Sequence, residues 1–306
     1  MVAISKKSED CGKRYSILYK QVKKDVMEKT QHSALNVEVI DENFYMPQLD
    51  RNRRIWVYRP TGYYQTVKRY PVIYMHDGQN LFDEANAFGE EWGIDETLNT
   101  VLGECIIVGI DNSEHRMREY NFHDHEEFGA GEGRKYTEFI TQTLKPVIDL
   151  NFRTVPDRKH THIAGSSMGG LISLYAALYY PETFGGAGVF SPSLWIVPGF
   201  EEELERVAAS NAKFPQQFYF YGGDKEGCNM TENITTVAAL LKQYPHCSVD
   251  VDINPEGEHS EYHWRNKFAD YYSWLSHKDS LQLNVAHKNI SRQPKTHGTK
   301  NRLFRR

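Results

Sequence analysis

Residues 165–169 read Gly-Ser-Ser-Met-Gly and lie between an apolar run that predicts a β-strand and a stretch with helical periodicity. In this setting the Gly-x-Ser-x-Gly pattern is typical of a nucleophile elbow, the sharp turn that exposes a reactive serine. The turn strains the serine backbone, so close packing there requires glycine on both sides. We therefore predict that Ser167 is a nucleophile and that the backbone N–H of Met168, at the helix start, donates to an oxyanion.

A serine nucleophile needs a base and an acid that orients the base, and in this arrangement the chain order is serine, acid, histidine. The strand predicted over 217–221 ends in a glycine-rich turn that carries two carboxylates, those of Asp224 and Glu226. His259 lies after the next predicted strand, just before a helix, and His263 follows one helical turn later. We expect His259 to be the general base, oriented by Glu226 or Asp224.

The loop after the strand predicted over 71–75 is the expected source of a second oxyanion donor. Gly78 allows the backbone to approach closely there, and the N–H of Gln79 is the candidate donor. His76 and Asp77 are interpreted as structural residues whose side chains hold this turn by hydrogen bonds.

The elements that position these residues alternate between strand and helix after about residue 70, which predicts a mostly parallel sheet with helices on both faces. The predicted strands are 71–75, 105–110, 160–164, 187–190, 217–221 and 247–253. The predicted helices are 136–150, 168–178, 201–210, 231–241 and 261–276. Residues 35–45 and 53–58 alternate as a hairpin does and predict antiparallel strands at one edge.

We expect one α/β domain over residues 35–280, preceded by an N-terminal extension at 1–34. Residues 281–306 hold seven basic and no acidic side chains and are interpreted as a basic, disordered tail. The segment around 112–133 is too long for a simple connector, and such segments tend to be functional.

Composition disfavours several classes of protein. The 306-residue chain has 36 basic and 41 acidic side chains and a formal net charge of −5, which does not favour a dedicated nucleic-acid binder. Its sequence contains no apolar run of membrane-spanning length and no secretory signal, so a cytoplasmic location is expected. The oligomeric state stays open.

At these motifs the sequence resembles the putative esterase family of the α/β-hydrolase fold, which includes siderophore (enterochelin-type) esterases, feruloyl esterases and S-formylglutathione hydrolases. The resemblance rests on residues 74–83, 116–120, 165–170, 190–195 and 257–264. It implies the α/β-hydrolase fold, Ser167 as nucleophile and His259 as base. The position of the family's acid implies Glu226, but Asp224 replaces the family's usual threonine, so the choice of acid stays open.

The implied activity is hydrolysis of a small-molecule carboxylic ester through an acyl-enzyme, with no metal or organic cofactor. An aromatic wall near the strand ends would suit a ring-bearing acyl group or a sugar, although each aromatic ring could equally be core. Arg116 could bind an anionic substrate group or pair with Glu114 or Glu119. The aromatic candidates for substrate binding are Tyr120, Trp195 and Trp264.

Three alternatives compete with an esterase. An acyltransferase would use the same triad, and a non-catalytic binding protein could share the fold. A metallohydrolase could use the histidine spacings at His123 and His125 or at His259 and His263, but it would leave the serine motif unexplained.

Overall fold

One eight-stranded sheet organises the residues that this computed structural model describes, which are 36–290, with side chains to 276. The strands are β1 (Val37–Met46), β2 (Arg51–Tyr58), β3 (Val72–His76), β4 (Ile106–Ile110), β5 (Thr161–Ser166), β6 (Gly186–Phe190), β7 (Gln216–Gly223) and β8 (Cys247–Asn254). Their order across the sheet is β1-β2-β4-β3-β5-β6-β7-β8.

Strand direction follows from the length of the connections. A short turn joins β1 to β2, so the two pair antiparallel, and β2 pairs antiparallel with β4. The six strands from β4 to β8 in the sheet order are parallel, because crossover segments connect them. The predicted α/β-hydrolase sheet, mostly parallel with antiparallel N-terminal edge strands, is confirmed.

Eight α-helices accompany the sheet in the described residues. They are α1 (Ile94–Thr100), α2 (Arg116–Glu119), α3 (Gly133–Glu138), α4 (Lys145–Asn151), α5 (Met168–Tyr179), α6 (Phe200–Ser210), α7 (Met230–Lys242) and α8 (Glu261–Ile290). The helix predicted over 136–150 is not one regular α-helix, because a π-helical segment, Phe139–Leu144, separates α3 from α4. Pro146, which has no backbone N–H to donate, lies in the first turn of α4.

The centre of the sheet is closed to solvent. Every residue of β3, β4, β5 and β6 is buried, as expected for parallel strands covered on both faces. The helix that follows β5 is equally enclosed, since α5 is buried from Met168 to Leu178. A helix that is apolar on all sides must be surrounded by protein, and this one holds the end of β5 rigidly.

The predicted loop at 112–133 contains regular structure. It includes α2 and an antiparallel bridge between His125 and Gly129. The side chain of Glu119, at the end of α2, is fully buried and accepts from Arg53 of β2 at 2.7 Å. This ion pair ties the segment to the sheet, so only part of it is a loop.

The chain divides into two compact units after Ala269. The second unit begins at Asp270 and continues α8 to Ile290, through residues 281–290 of the predicted tail. The predicted N-terminal extension at 1–34 and residues 291–306 of the tail lie outside the described residues, and the predicted domain boundaries stay predictions. Among the described residues, no helix combines the length and the apolar character needed to cross a membrane.

Candidate active site

Ser167 lies in the turn between β5 and α5, with φ 60° and ψ −120°. This is the strained backbone expected of a nucleophile elbow. A Cβ added to Gly165 would lie 3.0 Å from the backbone of Gly169, which is tighter than ordinary packing. A Cβ added to Gly170 would lie 2.6 Å from the carbonyl oxygen of Phe190. The glycines around the serine are therefore needed for the turn to pack, as the sequence indicates.

Glu226 and His259 are in direct contact. Oε2 of Glu226 lies 2.6 Å from Nδ1 of His259. The Glu226 side chain is fully buried, and its Oε1 accepts from the N–H of Gly223 at 2.6 Å and from Oγ of Ser191 at 2.7 Å. Asp224, the alternative acid, is exposed. Of the two carboxylates, the fold brings Glu226 to the histidine.

The turns that carry the acid and the histidine meet at two glycines. A Cβ added to Gly257 would lie 2.7 Å from Cα of Gly223, closer than real Cβ contacts. The Lys225 N–H donates to the Gly257 carbonyl at 3.0 Å across the same junction. The absence of both side chains lets the turn after β7 and the loop after β8 approach closely enough for Glu226 to contact His259.

Gln79 lies in a short 3₁₀ turn, Gly78–Asn80, directly after β3. A Cβ added to Gly78 would lie 2.8 Å from the backbone nitrogen of Ile110, so the close approach expected of this glycine is confirmed. Oε1 of Gln79 accepts from the N–H of Asn112 at 3.0 Å. Met168 is the first residue of α5, the helix that follows β5, and β5 is next to β3 in the sheet. The N–H groups in the first turn of a helix have no intrahelical acceptor.

Arg116 pairs with Asp77, a partner that was not predicted from the sequence. It is buried and forms a bidentate pair with Asp77, with both N–O distances 2.7 Å, and Nδ2 of Asn112 adds a third contact at 2.6 Å. Burial by itself would raise the pKa of Asp77, but the Arg116 guanidinium and these hydrogen bonds hold that pKa below its usual value. Arg116 thus holds, through Asp77, the turn that carries Gln79, and its predicted contact with substrate or with Glu114 or Glu119 stays a prediction.

Tyr120 is also placed behind this turn and not in a substrate wall. It is fully buried, and its hydroxyl accepts from the Asp77 N–H at 3.3 Å. The ring of His76 lies 5.1 Å from that of Tyr120, and its Nδ1 contacts the Tyr136 hydroxyl at 3.0 Å. Burial lowers the pKa of His76 to about 3, so the ring is neutral. These contacts agree with the structural interpretation of His76 and Asp77.

Trp264 lies against the histidine. Its ring meets that of His259 edge to face at 5.0 Å and stacks on Trp92 at 5.7 Å. Its Nε1 donates to Oγ of Ser191 at 2.9 Å. Trp264 therefore packs the imidazole, whereas Trp195 is half-buried and packs against the hydrophobic core.

Ser191 and Ser193, in the turn after β6, are residues for which the sequence suggested no role. Ser191 has φ 44° and bonds to Glu226, while Oγ of Ser193 lies 3.2 Å from Oγ of Ser167. One short turn therefore contacts both the acid and the serine. The position of these two serines, in a polar turn at the carboxyl end of a central parallel strand, is the sequence signal that could have indicated a role for them. Ligands bind at that edge of α/β sheets.

Two of the histidines considered as metal ligands, His123 and His125, contact other side chains. Nε2 of His123 lies 2.8 Å from Glu203, and His125 stacks on Phe128. Within residues 36–276, no group of three or more His, Cys, Asp or Glu side chains is arranged to hold a metal ion.

The model of the family described as "Putative esterase" matches residues 47–275. The uncharacterized protein YbbA of Bacillus subtilis is 27% identical over 253 residues, which covers 76% of this chain and 96% of YbbA. The iron(III) salmochelin esterase of Escherichia coli O6:H1 is 32% identical over 130 residues, 42% of this chain and 29% of that enzyme.

Among solved structures, an IroE-like serine hydrolase from Shewanella oneidensis matches with a TM-score of 0.62 and 20% identity, covering 79% of this chain and 81% of that one. The BES protein from Bacillus cereus matches with a TM-score of 0.66 and 20% identity, covering 81% and 99%. At these identities the structural matches show a shared fold.

Glu261, at the start of α8, faces the turn that carries Gln79. Nδ2 of Asn80 donates to its Oε1 at 3.3 Å. Burial raises the pKa of Glu261 from 4.5 to about 7. The carboxyl is therefore easier to protonate in the folded chain than in the unfolded one.

This raised pKa predicts a pH-dependent stability. The contribution of Glu261 to folding is complete below its ordinary pKa of 4.5 and is lost as the pH rises through about 7. We expect Glu261→Gln to match wild type near pH 4.5 and to be more stable near pH 8, by on the order of 1–2 kcal/mol. Urea unfolding at both pH values measures the difference. The exposed neighbour Glu258, changed to Gln, controls for the loss of one negative charge, and an equal effect of Glu261→Gln at both pH values would contradict the prediction.

Proposed function

We propose that this chain, which belongs to the putative esterase family of ester-hydrolysing enzymes, is a serine carboxylic-ester hydrolase that forms an acyl-enzyme on Ser167. The observation that carries the proposal is the 2.6 Å contact between Glu226 and Nδ1 of His259, at the sheet edge where Ser167 has its strained backbone. A carboxylate at Nδ1 keeps the proton on that nitrogen, which leaves the lone pair of Nε2 to act as a base.

In the first half of the reaction, His259 takes the hydroxyl proton of Ser167 while Oγ attacks the carbonyl carbon of the ester. The carbonyl electron pair moves to oxygen, and the N–H groups of Met168 and Gln79 stabilise this oxyanion. Glu226 stabilises the imidazolium. Collapse of the intermediate breaks the ester C–O bond, and the alcohol leaves with the proton from His259.

In the second half, His259 takes a proton from water, and the resulting hydroxide oxygen attacks the acyl carbon on Ser167. Collapse releases the carboxylic acid and returns the proton to Oγ of Ser167. One ester and one water thus become one acid and one alcohol. The pair of Asp77 and Arg116 supports both halves, because it holds the turn that contains the proposed donor Gln79.

The first prediction concerns the nucleophile. We expect wild type to hydrolyse a short-chain p-nitrophenyl ester and Ser167→Ala to lower kcat by roughly 10³- to 10⁶-fold, with the remainder supplied by the oxyanion donors. Ser173→Ala is the matched control, since Ser173 is equally buried in α5 and donates to the carbonyl of Gly169. Full activity of Ser167→Ala, or loss of wild-type activity in EDTA, would contradict the proposal.

A second prediction distinguishes the two carboxylates. Glu226→Gln removes the charge that faces the imidazole, and we expect kcat to fall by roughly 10²- to 10⁴-fold. Asp224→Asn removes an exposed charge from the same turn and should change kcat by less than about twofold. Steady-state kinetics on one ester suffices. A larger loss in Asp224→Asn than in Glu226→Gln would reverse the assignment.

A third prediction concerns Ser191 as a positioning residue. Its Oγ donates to Glu226 and accepts from Trp264, so it fixes which carboxylate oxygen faces the histidine. We expect Ser191→Ala to lower kcat roughly tenfold with little change in KM, and to have no further effect in a Glu226→Ala background. The double-mutant cycle measures this. Effects that multiply would mean that Ser191 does not act through Glu226.

A further inference from the structure

The first turns of α8 pack on the segment of chain that follows the turn carrying Gln79. Three side chains of α8, spaced i, i+3 and i+4, share one face of the helix and make these contacts. The contacts are those of Glu261 with Asn80, Trp264 with Trp92 and Arg265 with the carbonyl of Glu91. The helix that begins just after His259 is therefore joined to the chain that follows β3.

The contact between Asn80 and Glu261 spans several strands of the sheet. Between β3 and β8 lie β5, β6 and β7, so the two strands are roughly 19 Å apart at the usual spacing. Asn80 directly follows Gln79, and Glu261 lies two residues after His259. One hydrogen bond thus joins the turn of the proposed oxyanion donor to the loop of the proposed base, which lie on opposite sides of Ser167 in the sheet order.

The amide of Asn80 is fixed in one orientation. Its Oδ1 accepts from the N–H of Phe88 at 3.0 Å, and its backbone carbonyl accepts from the N–H of Trp92 at 2.7 Å. Because Phe88 uses the amide oxygen, the NH₂ group faces Glu261, 3.3 Å from Oε1. Asn80 is buried, and a buried donor needs an acceptor. Glu261 supplies that acceptor.

The carboxyl of Glu261 lies within electrostatic reach of both parts of the site. Burial is the main cause of its raised pKa, while its own N–H and His259 lower that pKa. Asp77 raises the pKa of Glu261 and Arg116 lowers it, because one is an anion and the other a cation. Either protonation state leaves a lone pair on Oε1. The bond with Asn80 therefore requires an acceptor oxygen and not a charge.

We propose that Glu261 is a positioning residue whose hydrogen bond with Asn80 sets the separation between His259 and Gln79. The inference rests on the proposed function and gives Glu261 no contact with the ester. His259 exchanges protons with the attacking and leaving oxygens while Gln79 binds the oxyanion, and all three oxygens are bound to one carbon. Base and donor must therefore keep a fixed separation, since a misplacement of about 1 Å costs on the order of 10²-fold in rate.

The first test removes the acceptor and then restores it. We expect Glu261→Ala to lower kcat for a short-chain p-nitrophenyl ester roughly tenfold and to change KM by less than about twofold. Glu261→Gln keeps an acceptor oxygen and should bring kcat back to within roughly threefold of wild type. Glu258→Ala, which truncates an exposed glutamate of the same loop, is the control. Equal losses in Glu261→Ala and Glu261→Gln, or full activity of Glu261→Ala, would overturn the inference.

The second test exchanges donor and acceptor. Asn80→Asp sets a second carboxyl against Glu261: the two can share a proton at pH 6, but both are charged at pH 9 and repel each other. We expect kcat relative to wild type to fall at least roughly fivefold over that range. In Asn80→Asp/Glu261→Gln the introduced amide donates to the introduced carboxylate, so the relative kcat should stay constant. The same fall in the double variant would contradict the inference.

The outcomes separate this inference from the proposed function. Urea unfolding at the assay pH distinguishes a loss of kcat from a loss of folded protein, and the donor–acceptor exchange decides if Glu261→Ala does not fold. If every Glu261 and Asn80 variant matches wild type while Ser167→Ala is inactive, the esterase stands and Glu261 has no positioning role. If wild type hydrolyses no ester, the proposed function itself fails.

Discussion

The carboxylate of Glu226 carries a charge inside the protein, and a buried charge is tolerated only when hydrogen bonds and a partner compensate for its lost hydration. Three groups do so: the N–H of Gly223, the hydroxyl of Ser191 and Nδ1 of His259. They come from the ends of three adjacent parallel strands. Satisfying this one charge therefore fixes the turn after β6, the turn after β7 and the loop after β8 relative to one another, and Trp264 extends the connection to α8.

A second buried carboxylate, that of Asp77, organises the turn after β3, on the other side of Ser167 in the sheet order. Arg116 and Asn112 compensate for its charge and thereby hold the turn that contains Gln79. The two carboxylates act alike. Losing the partners of a buried carboxylate would cost free energy, so the loops that supply those partners stay fixed at the edge of the sheet. Ser167, in the turn between β5 and the enclosed helix α5, lies between these two clusters in the sheet order. The two carboxylate side chains themselves are buried, although His259 and Asn112 are partly exposed.

Strands and helices were predictable from the sequence where a local pattern of apolar residues decides the secondary structure. The strands β3 to β6 follow from largely apolar runs, because both faces of the parallel sheet are covered there, whereas the edge strand β8 alternates polar and apolar residues and is only partly buried. The helix predicted over 136–150 failed in detail because a π-helical segment interrupts it before Pro146, and periodicity alone does not reveal such an interruption. The segment at 112–133 looked like a loop because α2 is a single turn, stabilised by the buried pair of Glu119 and Arg53 and not by an amphipathic pattern.

The sequence alone determined the serine turn, the glycine-dependent turn that carries Gln79 and the order of the candidate acid and base, because each depends on residues that are near one another in the chain. Glycines at fixed offsets from Ser167 and before Gln79 permit backbone approaches that no other residue allows. Only the tertiary structure decided which carboxylate meets His259, where Arg116 pairs and what Ser191 contacts. The partners in these three contacts are 33, 39 and 35 residues apart in the chain. Whether residues so far apart in sequence meet depends on the order of the strands in the sheet and on the glycines that let the loops approach each other.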